Sequence, residues 1–161
     1  MPGINAVLNT LNTRLDADLL AWQMNHCETR VLITDSEFAP VMRQALRALK
    51  QVHGRTPIVI DVCDSEYAGS HERVGQHAYE SLLASHLPVP KLQGPLDEWD
   101  AIAVSYTSGT TGDPKGVVTH HRGAYLNAVC NVAVWTMPPF ARYLWTCLLY
   151  TSDAADERSS V

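Results

Sequence analysis

Between Tyr106 and Gly116 the chain reads YTSGTTGDPKG, where hydroxyl residues, glycines, one proline and one lysine follow directly on an apolar run. These residue types suit a polyphosphate, which is held by converging backbone N–H groups, by hydroxyl donors and by a lysine acting as a point charge. Gly109 and Gly112 allow positive φ and close approach of backbone to a ligand. Thr107, Ser108, Thr110 and Thr111 supply four hydroxyls within five positions. Pro114 fixes its own φ and stiffens the exit of the loop before Lys115. The alternative is a solvated turn, since Gly, Ser, Thr, Asp and Pro are ordinary turn residues. Two other phosphate loops are excluded by spacing. A Walker loop needs a Gly-Lys pair, but Lys115 follows Pro114, and Gly109, Gly112 and Gly116 do not fit G-x-G-x-x-G.

The elements that must position this loop are readable on both sides of it. Ala101 to Tyr106 predicts a buried strand delivering the loop, and Gly116 to Thr119 resumes extended structure beyond it. A helix is expected from about His121 to Trp135, stopped by Pro138 and Pro139. Upstream, Ala6 to Leu11 is a short apolar stretch, and Asp16 caps a helix carrying Leu19 and Trp22 that ends near Cys27. Val31 to Ile33 reads as a short buried strand. Ser36 is expected to cap a second helix with Phe38, Val41, Ala45, Leu46 and Leu49 on one face. Pro57 to Val62 is the next strand, its apolar run suited to cover on both faces. Residues 63–77 form a polar surface loop, Tyr79 to His86 a short helix, and Leu87 to Pro95 a proline-rich connector. Alternating strands and helices predict an α/β fold, with βαβ units on a mainly parallel sheet plus a strand-loop-strand-helix nucleotide-binding element.

Composition narrows the function. With 46% hydrophobic and 18% charged residues in a 161-residue chain, the protein is globular. A net charge of -5 without a basic cluster argues against a nucleic-acid surface. Cys27, Cys63, Cys130 and Cys147 are widely spaced and form no C-x-x-C pair, which fits a reduced, cytoplasmic setting. The N-terminal residues do not follow a signal-peptide pattern, and no run approaches the roughly 20 apolar residues of a membrane span. A soluble protein is expected.

YTSGTTGDPKGVV followed by HHRGAYLNA resembles the nucleotide-binding signature of the adenylate-forming enzymes, in particular their acyl-CoA synthetase branch. The stretch AVLNTLNTRLDADLLAWQMNHCETRVLITD from Ala6 to Asp35 is also similar to that branch, so the resemblance covers most of the chain up to Thr146. AVLNTLNTRL and HHRGAYLNA are more similar to fatty acyl-CoA synthetases than to luciferases or peptide-synthetase adenylation domains. The resemblance implies an ATP-dependent ligase using Mg²⁺ and coenzyme A. Its carboxylic acid substrate would be converted to an acyl adenylate and then to a thioester. On this view Thr107, Ser108, Gly109, Thr110, Thr111, Gly112 and Lys115 hold the β and γ phosphates. His121 and Arg122 would open the following helix and organise the loop.

The chain departs from that pattern at its end. The family's adenine and Mg²⁺ site, ribose-binding acid, hinge and catalytic lysine would all lie further on, so no catalytic residue is assigned and this chain alone is expected to be inactive. From Cys147 the sequence CLLYTSDAADE matches the translation of a transposase sequencing adaptor. Residues 1–146 are therefore read as an incomplete N-terminal AMP-binding domain and residues 147–161 as a non-native tail. Three alternatives stay open: a non-catalytic truncated product, a nucleotide-binding remnant, and another adenylate-forming ligase. His120 and His121 are adjacent and do not suit one metal ion, whose helical ligands prefer i, i+4 spacing. No metal site is expected. Tyr125, Asn127 and Trp135 are candidates for an acyl pocket or for core, and Asp97 and Asp100 for caps of the turn before the loop-bearing strand.

Overall fold

The computed structural model describes residues 2–85, 94–107 and 114–142, which belong to two compact units, 12–90 and 1–11 with 91–161. In the 12–90 unit, helix α1 (Ala17–His26) starts at Asp16, whose carboxylate accepts from the Leu19 N–H at 2.8 Å. The chain leaves the helix through Glu28 at φ 51° and enters strand β2 (Val31–Asp35). A 3₁₀ turn (Ser36–Phe38) and helix α2 (Ala39–His53) follow, and α2 stops at Gly54 in the left-handed conformation that glycine tolerates best. Strand β3 (Ile58–Val62) pairs with β2 in parallel over five residues, from Val31↔Ile58 to Asp35↔Val62. The two-residue strand β4 (His77–Ala78) extends the sheet in parallel, before helix α3 (Tyr79–Ala84).

The core of this unit lies between α1, α2 and one sheet face. Leu20, Met24, Met42, Ala45 and Leu49 meet Leu32 and Val59 there, while Val31, Ile33 and Ile58 on the opposite face remain exposed. Two expectations change. The strands are covered on one face by the described residues, so their burial alternates. The cap before α2 is Asp35, which accepts from the Glu37 N–H at 2.9 Å, and past the intervening 3₁₀ turn the first buried positions are Ala39 and Met42 in place of Phe38 and Val41, while Ala45 and Leu49 are buried as expected.

Asp61 is the buried charge in this core, 1% exposed. Its carboxylate accepts from the backbone N–H of Val74 (2.9 Å) and Gly75 (2.9 Å), and the Arg73 guanidinium lies 3.5 Å away. The polar stretch 63–76 is thereby fastened across β3. It crosses so closely that a Cβ at Gly75 would lie 2.3 Å from the Val59 carbonyl oxygen. His71 and Glu72 add contacts to Ser36 (3.5 Å) and Arg43 (2.8 Å).

The other unit carries the nucleotide-binding element. Its sheet has the order β1-β5-β6, from β1 (Leu8–Asn9), β5 (Ala101–Thr107) and β6 (Lys115–His120). Strand β1 runs parallel to β5, while β5 and β6 form an antiparallel hairpin leading into helix α4 (His121–Val134). Each residue of β5 is half-buried, less than the sequence predicts, and no described residue of α4 is fully buried. Helix α4 ends at Trp135, with Thr136 at φ 51°, just ahead of Pro138. Among the described residues no helix is long and apolar enough to cross a membrane.

Candidate functional site

The antiparallel register of β5 and β6 places Thr107 directly across from Lys115, at the end of the ladder where the glycine- and hydroxyl-rich loop begins and ends. A hydroxyl and an exposed ammonium are thus brought to one edge by backbone pairing alone. Tyr106 pairs with Gly116, and Val104 and Tyr106 side chains lie 3.3 to 3.6 Å from where a Gly116 Cβ would be. Ser108, Gly109, Thr110, Thr111 and Gly112, the remaining residues of the expected grip, lie outside the described residues, as does the tail from Cys147. Thr107 and Lys115 form one donor pair suited to an anion.

The opposite end of the hairpin is fastened by Asp97, His120 and Arg122, named in the sequence reading, together with Glu98 and Trp99, which it did not single out. The segment before β5 is a tight acidic turn: Asp97 accepts from the Trp99 N–H at 2.9 Å, and the Asp100 N–H donates to the Asp97 carbonyl at 3.1 Å. That is the capping role expected for these aspartates. The start of α4 bonds to the same turn. The His121 N–H donates to the Asp100 carbonyl (3.1 Å), and the Arg122 N–H donates to the Glu98 carbonyl (2.8 Å). The Arg122 guanidinium reaches the Glu98 carboxylate at 2.6 Å and lies 5.7 Å from the centre of the Trp99 ring.

His120 caps α4. Its Nδ1 accepts from the Gly123 N–H at 2.9 Å, which leaves the proton of the neutral ring on Nε2. The ring also packs on Trp99, centroid to centroid 4.7 Å. Position 123 suits glycine, because a Cβ there would sit 3.1 Å from His120 Cε1. The histidine pair thus has a capping role at His120 and a helix-opening role at His121. Among the described residues no cluster of three or more His, Cys, Asp or Glu could hold a metal ion. The described residues of the hairpin include no carboxylate, so by themselves they do not fit Mg²⁺. Tyr125 (69% exposed) and Trp135 (51% exposed) are not core residues in this unit.

An α/β chain whose hairpin sets a hydroxyl against a lysine, at the two ends of a glycine-rich sequence, has the elements of an anion-holding site. Comparison with known proteins makes the assignment specific. The profile of the AMP-binding enzyme family matches residues 1–152, and the chain belongs to that family. The peroxisomal acetate/butyrate CoA ligase of Arabidopsis thaliana is 39% identical over 157 residues, which cover 93% of this chain and 28% of that protein. The acetate CoA ligase of Humulus lupulus is 35% identical, again over 93% of this chain and 28% of the relative. The chain therefore spans about 28% of the length of these relatives. Among solved structures, an anthranilate CoA ligase in complex with anthranoyl-AMP aligns with a TM-score of 0.58 at 23% identity, over 77% of this chain and 22% of that one. A luciferase-like enzyme from the mealworm Zophobas morio aligns with a TM-score of 0.61 at 17% identity, over 84% and 29%. These two alignments support the fold.

Proposed function

We propose that this chain is part of an AMP-forming acid–thiol ligase and supplies the hairpin that holds the β and γ phosphates of ATP. The observation that carries the reading is the pairing of Thr107 with Lys115 at the base of the YTSGTTGDPKG loop, within a segment matched by the AMP-binding family. In the complete reaction a carboxylate oxygen attacks the α-phosphorus of ATP. The bond to the bridging oxygen breaks, and pyrophosphate leaves with the electron pair. The coenzyme A thiolate then attacks the acyl carbon of the adenylate, and AMP leaves. This hairpin contributes to the first step. Lys115 offsets charge accumulating on the departing pyrophosphate, while Thr107, with Ser108, Gly109, Thr110, Thr111 and Gly112, donates to its oxygens. Mg²⁺ bound to the nucleotide would share that charge, through ligands other than the described hairpin residues.

The acid is a small carboxylic acid, in keeping with relatives named for acetate, butyrate and benzoate. The spacing of the cysteines supports a cytoplasmic compartment. A peroxisomal address, carried in the name of the Arabidopsis acetate/butyrate relative, is the competing assignment that cell fractionation decides. In the full-length polypeptide, Lys115→Ala is expected to slow carboxylate-dependent exchange of pyrophosphate into ATP by about ten- to a hundredfold, the loss of one charge-assisted contact. An unchanged exchange rate overturns the role of Lys115. The 161-residue chain alone is expected to bind polyphosphate without catalysing exchange.

A further inference from the structure

We propose that Glu98, Trp99, His120 and Arg122 are positioning residues that enforce a bulge in the hairpin, and that this bulge aims Thr107 and Lys115 at the polyphosphate; the inference rests on the phosphate reading above. The ladder gives the bulge directly. At its base Ala101 pairs with His120, but the next pair is Ala103 with Thr119, and the register then runs unbroken to Thr107 with Lys115. Ile102 is the extra residue. The strands could remove it by extending the upper register one step, so that Ile102 paired with His120 in a straight ladder.

The clasp opposes that slip. The beginning of α4 is bonded to Glu98 and Asp100 through backbone N–H groups, to the Glu98 carboxylate through Arg122, and to the Trp99 ring through His120 and Arg122. Shifting the base of β6 and the start of α4 by one residue against the segment before β5, about 3.3 Å with the upper ladder unmoved, would break all of these contacts together. A bulge raises the local right-handed twist and bends its strand, and the tip lies several residues away from it. The bulge therefore sets the direction in which Lys115 is presented, whereas the ladder sets only what Lys115 faces. Clasp and tip are separable: loss of the clasp straightens the hairpin while leaving Thr107 opposite Lys115.

The test uses the 161-residue chain, inorganic tripolyphosphate titrated by calorimetry, and cross-strand proton contacts by NMR. In Trp99→Ala, contacts between Ile102 and His120 are expected to appear, those between Thr107 and Lys115 to persist, and tripolyphosphate affinity to fall about tenfold. Trp99→Phe, which keeps a ring against His120, is expected to bind nearly as wild type does. Deletion of Ile102 leaves the clasp and the tip register in place but removes the bulge, and the same loss of affinity is expected. This second variant keeps the test open should Trp99→Ala not fold. Wild-type affinity in either straightened variant overturns the aiming role. Loss of affinity together with loss of the Thr107–Lys115 contacts also overturns it, because it marks a general stability effect. A wild-type chain that does not bind tripolyphosphate overturns the phosphate reading itself, and this inference with it.

Discussion

The two units are held together by different physics. In 12–90, Leu20, Met24, Leu49, Val59 and their neighbours are buried between helices and sheet, and even the charge of Asp61 is enclosed and bonded. In the unit that carries the hairpin, no described side chain reaches that degree of burial. The geometry there comes from a β-ladder, a capped helix start and one polar-aromatic clasp. Burial contributes stability in proportion to area, whereas ladders and caps fix position with modest net energy. The residues bearing the proposed chemistry are thus set by register and orientation more than by core packing.

Substitutions can break or sharpen this contrast. The largest effect is expected in the core: Leu49→Ala, at a 1% exposed position, should cost about 3 kcal/mol in urea denaturation of the 12–90 unit. Asp61→Asn keeps shape but weakens the acceptor of the Val74 and Gly75 N–H groups, and about 2 kcal/mol is expected in the same assay. On the hairpin side, His120→Ala should cost about 1 kcal/mol through loss of the cap, with His120→Asn, itself a good cap, recovering most of it. The smallest change should come from Glu98→Gln, whose partner Arg122 is exposed, at no more than about 0.5 kcal/mol. A loss above 2 kcal/mol for either hairpin variant would show that this unit depends on packing after all.

Much of the fold was legible from pattern. Alternating strand and helix signals located β2, α2, β3, β5 and α4 to within a few residues, because their apolar periodicity and flanking Asp, Gly and Pro agree with the structure. That Ala39 and Met42, not Phe38 and Val41, begin the buried stripe of α2 was not legible, since a 3₁₀ turn and a first helical turn have similar sequences. Asp61 was hidden because its partners lie 13 and 14 residues away, in a stretch with no periodicity. For the site, residue types identified Lys115 and Thr107, but their pairing depends on register. The clasp was visible only in part, in the capping role of Asp97 and Asp100 and the helix-opening role of His121 and Arg122. Its contacts with His120 and Arg122 join residues more than twenty positions apart.

The close crossing at Gly75 has a consequence for any saturation mutagenesis of this chain. Since a Cβ there would collide with the Val59 backbone, nearly every substitution should deplete the protein. In a growth-based selection such a position would score like an essential active-site residue. Measuring soluble abundance of each variant and, in the full-length polypeptide, pyrophosphate exchange would distinguish them: Gly75 variants should lose soluble protein, whereas Lys115 variants should accumulate normally and exchange slowly.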